Sequence, residues 1–289
     1  MTVHSAVSVA VDGSDQALEA VQWAAAAAQR LQRRLDVVSV VPPVAMPFGP
    51  LSLQSDEDAM LAARQKAETA VSVAAQVAVR TANVPVETRV IEGKPALALR
   101  AVSTRAHMLV VGRRGLGGVR GLLLGSVSTD VAAHGDCPTV VVPAGGDRTT
   151  GPVVVGFDGS PSADAALERA FDAASTMKTS LTVVHGYGGF TDEVFHGYSG
   201  QVLENLRGNA EIAVATRIAG HSERLPDVEV TIDLTTEPPA EHLSVLSETA
   251  QLVVVGTRGR GGFRGLTLGS TSQALLHVAQ SPVMVVQNR

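Results

Sequence analysis

The amino-acid sequence repeats itself, and this repeat limits the possible folds more than any other feature. The segment VSVAVDGSD at residues 7–15 matches VVVGFDGSP at residues 153–161, and CPTVVVP at 137–143 matches SPVMVVQ at 281–287. Because self-similarity at a fixed period marks a repeated structural unit, the chain of 289 residues is predicted to contain one unit of roughly 145 residues twice.

The two copies are predicted to be separate domains, residues 1–145 and 151–289. The segment PAGGDRTTGP at 143–152 joins them and is rich in glycine, proline and polar residues, which is typical of a linker. Hydrophobic residues make up 45% of the chain and aromatic residues only 3%, so aliphatic side chains are expected to fill both cores.

Each copy alternates short aliphatic runs with helical patterns. In the first copy we expect strands at 6–11, 36–41, 84–91, 108–111 and 139–142, with helices at 14–31, 56–82, 95–105 and 126–134. Ser14 and Ser160 are predicted to cap the first helix of each copy. Continuous aliphatic strands that alternate with helices indicate a parallel sheet covered on both faces, so the predicted fold class is α/β and doubly wound, twice.

Composition argues against several functional classes. No apolar run approaches the ~20 residues of a membrane span, and no basic segment precedes an apolar stretch near residue 1, so neither a membrane span nor a secretory signal is expected. Cys137 is the only cysteine, which excludes an internal disulfide and favours a cytoplasmic location. The net charge is −5, neither copy has a basic excess, and aromatic residues are scarce, so a nucleic-acid partner is not expected.

A glycine-rich loop occurs once in each copy, after the fourth strand. It has the sequence GRRGLGGVRGLLLGSVS from Gly112 and GTRGRGGFRGLTLGSTS from Gly256. Both loops contain arginines and no acidic residue, which in an acidic protein points to an anion. Glycines let backbone N–H groups approach a phosphate, and the Gly-Ser at the start of the following helix adds N–H groups and the helix dipole.

Two other phosphate-binding patterns do not fit the sequence. Gly-Lys occurs only at Gly93-Lys94, which Pro95 follows, so the Walker pattern fails, and Arg120 stands where the dinucleotide pattern needs its last glycine. A single glycine-rich loop could be merely a set of tight turns. Its duplication at identical spacing favours anion binding, with hydroxyl groups as further donors at Ser126, Ser128, Ser270 and Ser272.

These motifs resemble those of the universal stress protein family, in its ATP-binding branch. The resemblance rests on VDGS after the first strand and on Gly-x-x-Gly-x9-Gly-Ser after a VVVG strand. The tandem arrangement resembles that of actinobacterial members. The resemblance extends over almost all of both copies. It implies Rossmann-like sheets of order 3-2-1-4-5, a pocket for ATP or another adenine nucleotide, and dimers built through the last strand. The last strands of the two copies could also pair with each other within one chain.

The resemblance also assigns site residues by position. Asp12 and Asp158 would serve the ribose, the phosphates or a Mg²⁺ ion, although they could instead only shape the turn before the first helix. Ala10, Gly156, Val40 and Gly186 would line the adenine side. The ribose and phosphates would contact the glycine loop and the next helix start, at Gly112, Gly115, Gly125, Ser126, Val127, Gly256, Gly259, Gly269, Ser270 and Thr271.

The second copy departs from the family pattern. The first has EGKP at 92–95, whereas the second has TEPP at 236–239 and lacks the glycine. The loops VPPVAMPFGP and HGYGGFTDEVFHGYSG, after the second strands, also differ and are expected to cover the adenine side. The two pockets are therefore predicted to differ in affinity.

Three functions remain open from the sequence. The first is an ATP-binding regulator of a stress, hypoxia or dormancy response, acting through a protein partner that the sequence does not name. The second is a slow ATPase or autophosphorylating enzyme, and the third is a structural or chaperone-like dimer without nucleotide. The chain has 8 histidines, none at matching positions in the two copies, and no shared constellation for general-base or nucleophilic catalysis. The protein is therefore expected not to be an enzyme, beyond weak ATP hydrolysis.

Overall fold

The chain divides into two compact units, Met1–Asp147 and Arg148–Arg289. The structure is a computed structural model, and it describes residues 6–43, 53–116, 124–146, 148–187, 200–259 and 268–288.

The described elements follow the same order in both units. The first unit contains β1 (Val7–Ala10), α1 (Asp15–Arg30), β2 (Leu35–Val41), α2 (Leu53–Thr81), β3 (Val86–Glu92), α3 (Pro95–Ser103), β4 (Met108–Gly112), α4 (Ser126–His134) and β5 (Thr139–Val142). The second contains β6 (Val153–Gly156), α5 (Pro161–Met177), β7 (Leu181–Gly186), α6 (Gly200–Arg224), β8 (Val230–Thr235), α7 (Pro239–Leu246), β9 (Leu252–Gly256), α8 (Ser270–Val278) and β10 (Val283–Val286).

Each unit is built around a parallel sheet. The strand order is β3-β2-β1-β4-β5 in the first unit and β8-β7-β6-β9-β10 in the second, and neighbouring strands within each unit pair in parallel. The predicted doubly wound α/β fold and the order 3-2-1-4-5 are confirmed. Strand order reverses at β1 and β6, and the carboxyl ends of the strands at such a point border a ligand crevice in open α/β sheets.

Aliphatic strands and alanine-rich helices form the cores. The central strands are almost completely buried, with Val7 and Val9 of β1 and Val153 and Val155 of β6 at 0% exposure. Burial on both faces explains why these strands lack an alternation of apolar and polar residues. The buried face of α1 consists mainly of alanines and includes Trp23, which lets this helix approach the sheet closely.

Short polar turns connect the first strand of each unit to its first helix. The Ser14 and Ser160 hydroxyl oxygens accept hydrogen bonds from the N–H groups of Ala17 and Ala163, so both predicted N-caps are confirmed. Gly13 and Gly159 precede the caps with φ angles of 90° and 75°, a region that residues with a Cβ rarely adopt. The Asp-Gly-Ser sequence is therefore required by the turn itself.

The third strand begins at Val86 rather than Val84 because Pro85 has no N–H group and contributes only its carbonyl, which accepts from Leu35 N at 2.8 Å. Cys137 is buried. Within the described residues, no helix combines the length and hydrophobicity that crossing a lipid bilayer requires.

The Ser14 cap gives a stability prediction for the first unit. Replacing Ser14 with alanine leaves the first N–H groups of α1 without their side-chain acceptor and should lower the free energy of unfolding by about 1 kcal/mol. Trp23 is the only tryptophan and is buried on the capped helix, so its fluorescence during urea unfolding follows this unit. The matched control is Ser72→Ala, at an exposed position inside α2. Equal midpoints for the two variants would contradict the cap assignment.

Candidate functional site

A cavity of about 470 Å³ opens at the carboxyl ends of the strands in the second unit. Every site residue predicted from the second copy lines it, namely Gly156, Asp158, Gly186, Gly256, Gly259, Gly269, Ser270 and Thr271. The cavity lies at the strand-order reversal, and its size is within the range of small-molecule sites, about 300–1,000 Å³. Pro239 and Leu243 also line the cavity and were not predicted from the sequence.

The glycine loop is anchored close to the first helix of its unit. A Cβ atom on Gly256 would lie 2.8 Å from the Ser162 carbonyl oxygen of α5, and a Cβ on Gly112 would lie 3.0 Å from the Gln16 carbonyl oxygen of α1. Only glycine fits without displacing backbone. The loop ends are then fixed in the same way in both units, because Gly269 N donates to Thr257 O at 2.7 Å and Gly125 N to Arg113 O at 2.9 Å.

Asp12 and Asp158 both shape the turn and contact the loop. One carboxylate oxygen accepts from the N–H two residues on, at 3.0 Å for Ser14 and 2.9 Å for Ser160. The other Asp12 oxygen accepts from Leu116 N in the glycine loop at 2.6 Å. Cβ atoms on Gly115 or Gly259 would overlap Asp12 or Asp158 respectively. The turn-shaping alternative is therefore correct but incomplete, since each carboxylate also borders the loop.

The helices that follow the glycine loops begin without a side-chain cap. Gly125 and Gly269 are the N-cap residues of α4 and α8, and within the described part of the chain no side-chain cap bond forms at either helix start. This contrasts with α1 and α5, whose first N–H groups are capped by serine. Uncapped N–H groups together with the helix dipole favour an anion at this position.

The serines at these helix starts divide into two roles. Ser126 and Ser270 are exposed at the first helical position, as a ligand contact requires. Ser128 and Ser272 are buried, and their hydroxyls donate to Gly112 O at 2.8 Å and Gly256 O at 2.6 Å. These hydroxyls use their hydrogens within the protein and tie each helix to the end of the preceding strand, although Ser272 also lines the second cavity.

The first unit places its predicted residues at equivalent positions. Ala10 ends β1, Gly112 ends β4, and Val40 lies on β2 two residues beyond Val38, the partner of Ala10. Gly115 contacts Asp12, and Gly125, Ser126 and Val127 form the start of α4. Ala10, Val40, Gly112 and Val127 are half-buried, so they border the surface rather than the core.

Each glycine loop contains three arginines, which occupy partly different positions. Arg113 is partly buried beside Arg114, and burial followed by the Arg114 charge lowers the pKa of its guanidinium. A nearby anion would offset both effects. In the second unit Thr257 replaces Arg113, and Arg258 corresponds to Arg114. The further arginines of the acid-free segments, Arg120, Arg260, Arg264 and Arg289, lie outside the described residues, as do 44–52 and 188–199 of the loops expected to cover the adenine side.

Part of the second cavity's lining is apolar. Val184, Leu243 and Val255 belong to this part, together with Pro239. A Cβ on Gly156 would lie 2.9 Å from Leu243 Cδ1, and a Cβ on Gly186 would lie 3.1 Å from Pro239 Cγ, so both glycines keep this part open. Pro239 and Leu243 match Pro95 and Leu99 of the first copy, and this repetition is the signal that could have identified them.

Comparison with known proteins follows the same division into two copies. A model of the universal stress protein family matches residues 5–143 and again residues 149–287. A universal stress protein of Mycobacterium tuberculosis (strain ATCC 25618 / H37Rv) is 36% identical over 299 residues, which cover 97% of this chain and 94% of that protein. One of Mycolicibacterium smegmatis (strain ATCC 700084 / mc(2)155) is 36% identical over 289 residues, covering 98% and 97%.

The fold is also similar to that of a solved universal stress protein. A universal stress protein from Archaeoglobus fulgidus DSM 4304 superposes with a TM-score of 0.69 at 20% identity, covering 99% of this chain and 100% of that one. At this identity the similarity concerns the fold alone.

Ser128, the buried serine that ties α4 to the end of β4, gives a second prediction. Ser128→Ala removes the hydrogen bond to Gly112 O and should lower the free energy of unfolding of the first unit by about 1–3 kcal/mol. The control is Ser126→Ala, which removes an exposed hydroxyl two residues earlier and should change stability little. Urea unfolding followed by Trp23 fluorescence compares the two variants. An equal loss in both would show that Ser128 is not an anchor.

Proposed function

The chain belongs to the universal stress protein family, and we propose that it is an ATP-binding regulator of a stress, hypoxia or dormancy response. Nucleotide occupancy would change its shape, its dimerisation or its choice of protein partner. The observation that carries this proposal is the second-unit cavity, in which a glycine loop, an uncapped helix start and an aspartate meet an apolar slot.

The polar part of the cavity lining suits phosphates. The start of α8 lacks a side-chain cap and would favour an anion, Arg258 supplies positive charge, and the Ser270 hydroxyl is exposed as a further donor. Because Gly259 has no side chain, the backbone of the loop approaches this region closely.

The apolar part of the lining suits a purine base. Val184, Leu243 and Val255 supply aliphatic surface for a flat ring, and β6 and β7 end in the lining at Gly156 and Gly186, which add no side chain. Small-molecule sites combine such apolar walls with a few placed polar groups. An adenine nucleotide has this division between base and phosphates.

A Mg²⁺ ion would enter with the phosphates. Mg²⁺ is commonly held by one or two carboxylates together with substrate phosphates. Each unit offers one carboxylate beside its glycine loop, Asp12 or Asp158. Among the described residues, no group of three or more His, Cys, Asp or Glu side chains is arranged to hold a metal ion, so a Mg²⁺ ion would depend on the nucleotide.

The regulator is proposed not to be an enzyme beyond weak hydrolysis. Phosphoryl transfer to water needs a group that orients or deprotonates the attacking water. Asp158 accepts a hydrogen bond from Ser160 N and borders the loop, a role that suits holding the ligand rather than activating water. We further propose a cytoplasmic location and a homodimer, with no nucleic-acid partner.

Nucleotide stoichiometry is the direct test. Calorimetric titration with ATP and Mg²⁺ should give two sites per chain, and Gly115→Ala or Gly259→Ala should each weaken one site by roughly tenfold or more. The physical reason is that the new Cβ displaces Asp12 or Asp158 from the loop. The matched control is Gly208→Ala in α6, where a Cβ meets nothing within 4 Å.

Three results would count against this proposal. No binding at millimolar ATP would favour the structural or chaperone-like alternative. Binding that survives both glycine substitutions together would place the nucleotide elsewhere. Loss of binding in the Gly208→Ala control as well would show that the substitutions act through folding.

Hydrolysis separates a regulator from an enzyme. The chain should release ADP no faster than the double variant Asp12→Asn, Asp158→Asn, which keeps the turn geometry but removes both loop carboxylates. Steady-state ADP release over many turnovers, measured on purified protein, checks this expectation. Sustained turnover that disappears in the double variant would instead support the ATPase alternative.

A further inference from the structure

A histidine between two carboxylates lies beside the second cavity. His242 of α7 has Nε2 2.8 Å from Asp233 Oδ2 of β8, and Nδ1 3.2 Å from Glu237 Oε2 of the β8–α7 connection. The His242 side chain is 23% exposed and that of Asp233 30%, so this contact is partly shielded from water. We call these three residues the His242 cluster.

The geometry of the His242 cluster selects the charged form of the ring. A neutral imidazole has one N–H and one lone pair, whereas an imidazolium donates from both nitrogens. A carboxylate oxygen at hydrogen-bond distance from each nitrogen therefore favours the doubly protonated ring. Burial lowers the pKa of His242, but hydrogen bonds to Asp233 and Glu237 and their negative charges outweigh it and raise the pKa above its ordinary value.

The cluster fixes a wall of the cavity. Glu237 lies in the connection that leads to Pro239, where α7 begins, and its N–H donates to Thr235 Oγ1 at 3.0 Å. Pro239 and Leu243, the residue after His242, both line the cavity. A contact that joins β8, the connection and α7 therefore sets the position of the apolar wall.

The first unit lacks all three members of the cluster. Aligning Pro95 with Pro239 at the start of α3 and α7 matches Ala98 to His242, Gly93 to Glu237 and Arg89 to Asp233. The first connection instead uses Gly93 with a φ of 142°, a conformation that favours glycine. The β8–α7 connection is thus held by charged side chains, whereas the β3–α3 connection depends on the backbone conformation of Gly93.

We propose that protonated His242 is a positioning residue for the second pocket, so that this pocket binds nucleotide more tightly in acid than in base while the first pocket does not. The inference rests on the proposed nucleotide-binding function and concerns how that same site is regulated. Protons and ATP would then act on one wall of the second cavity.

The sign follows from the charges that face His242. Among the described residues, the charged groups that act on its ring are Asp233 on β8 and Glu237 in the connection. Because they raise the folded-state pKa above about 6.5, the stabilisation is complete below that value and is lost as pH rises through the folded-state pKa. Loss of the proton leaves a lone pair facing a carboxylate and releases the connection.

The test uses the first pocket as an internal control. Binding of ATP with Mg²⁺ is measured between pH 6.0 and 8.5 on Gly115→Ala, which retains the second site, and on Gly259→Ala, which retains the first. Ionisation of ATP affects both variants alike. We expect Kd of the second site to rise about threefold to tenfold more than that of the first. His242→Gln should abolish this excess, whereas His277→Gln, farther along in α8, should leave it unchanged.

A second measurement keeps the inference separate from the proposed function. The NMR titration of the His242 ring in the nucleotide-free chain should have its midpoint above 6.5, and Glu237→Gln should lower that midpoint. Amide exchange of residues 236–243 should accelerate above it. A midpoint at or below 6.5, or equal pH profiles for the two sites, overturns the inference. Absence of ATP binding in both sites overturns the proposed function, and a raised midpoint would still establish the cluster.

Discussion

The close approach of the fourth strand to the first helix controls the site in each unit. Gly112 and Gly256 end β4 and β9 where a Cβ would meet a carbonyl oxygen of α1 or α5. This contact brings the glycine loop over the aspartate that follows the first strand. The buried serine of the next helix then fixes the strand end, through Ser128 or Ser272. The loop backbone and the helix start reach the same crevice because a single packing constraint positions both.

Hydrogen bonds that are completed inside the protein explain which groups remain for a ligand. Ser14 and Ser160 satisfy the first helix of each unit, whereas Gly125 and Gly269 leave the later helices without a side-chain cap. A helix start that lacks its own acceptor favours an external anion. The sequence places serine at one helix start and glycine at the other in both copies, and this difference separates structural from ligand-binding termini.

Most of the fold and much of the site could be predicted because they depend on local pattern and repetition. Aliphatic runs defined the strands, and Ser14 was recognisable as a cap from its place before a helical pattern. The direction of the Ser128 hydroxyl was not predictable, since it depends on the position of the Gly112 carbonyl, which is distant in sequence.

His242 was missed for a different reason. A residue that serves a function common to both copies should occur in both, but Ala98 occupies the position of His242 in the first copy. That criterion is sound for a shared reaction but excludes any device that distinguishes the copies. Moreover, Asp233 and Glu237 become recognisable partners only when β8 and the start of α7 are packed together.

Duplication followed by such differences gives one chain two unequal candidate sites. The first has Arg113 where the second has Thr257, and the second has Arg260 where the first has Leu116, so the two loops hold equal charge at different positions. The second has the His242 cluster at its apolar wall. Under the proposed function, charge at the phosphate end would act on ligand affinity directly, whereas the cluster would act through wall position and hence through proton concentration. Two pockets that share a ligand but differ in these terms would fill in an order set by pH, which a single pocket could not achieve.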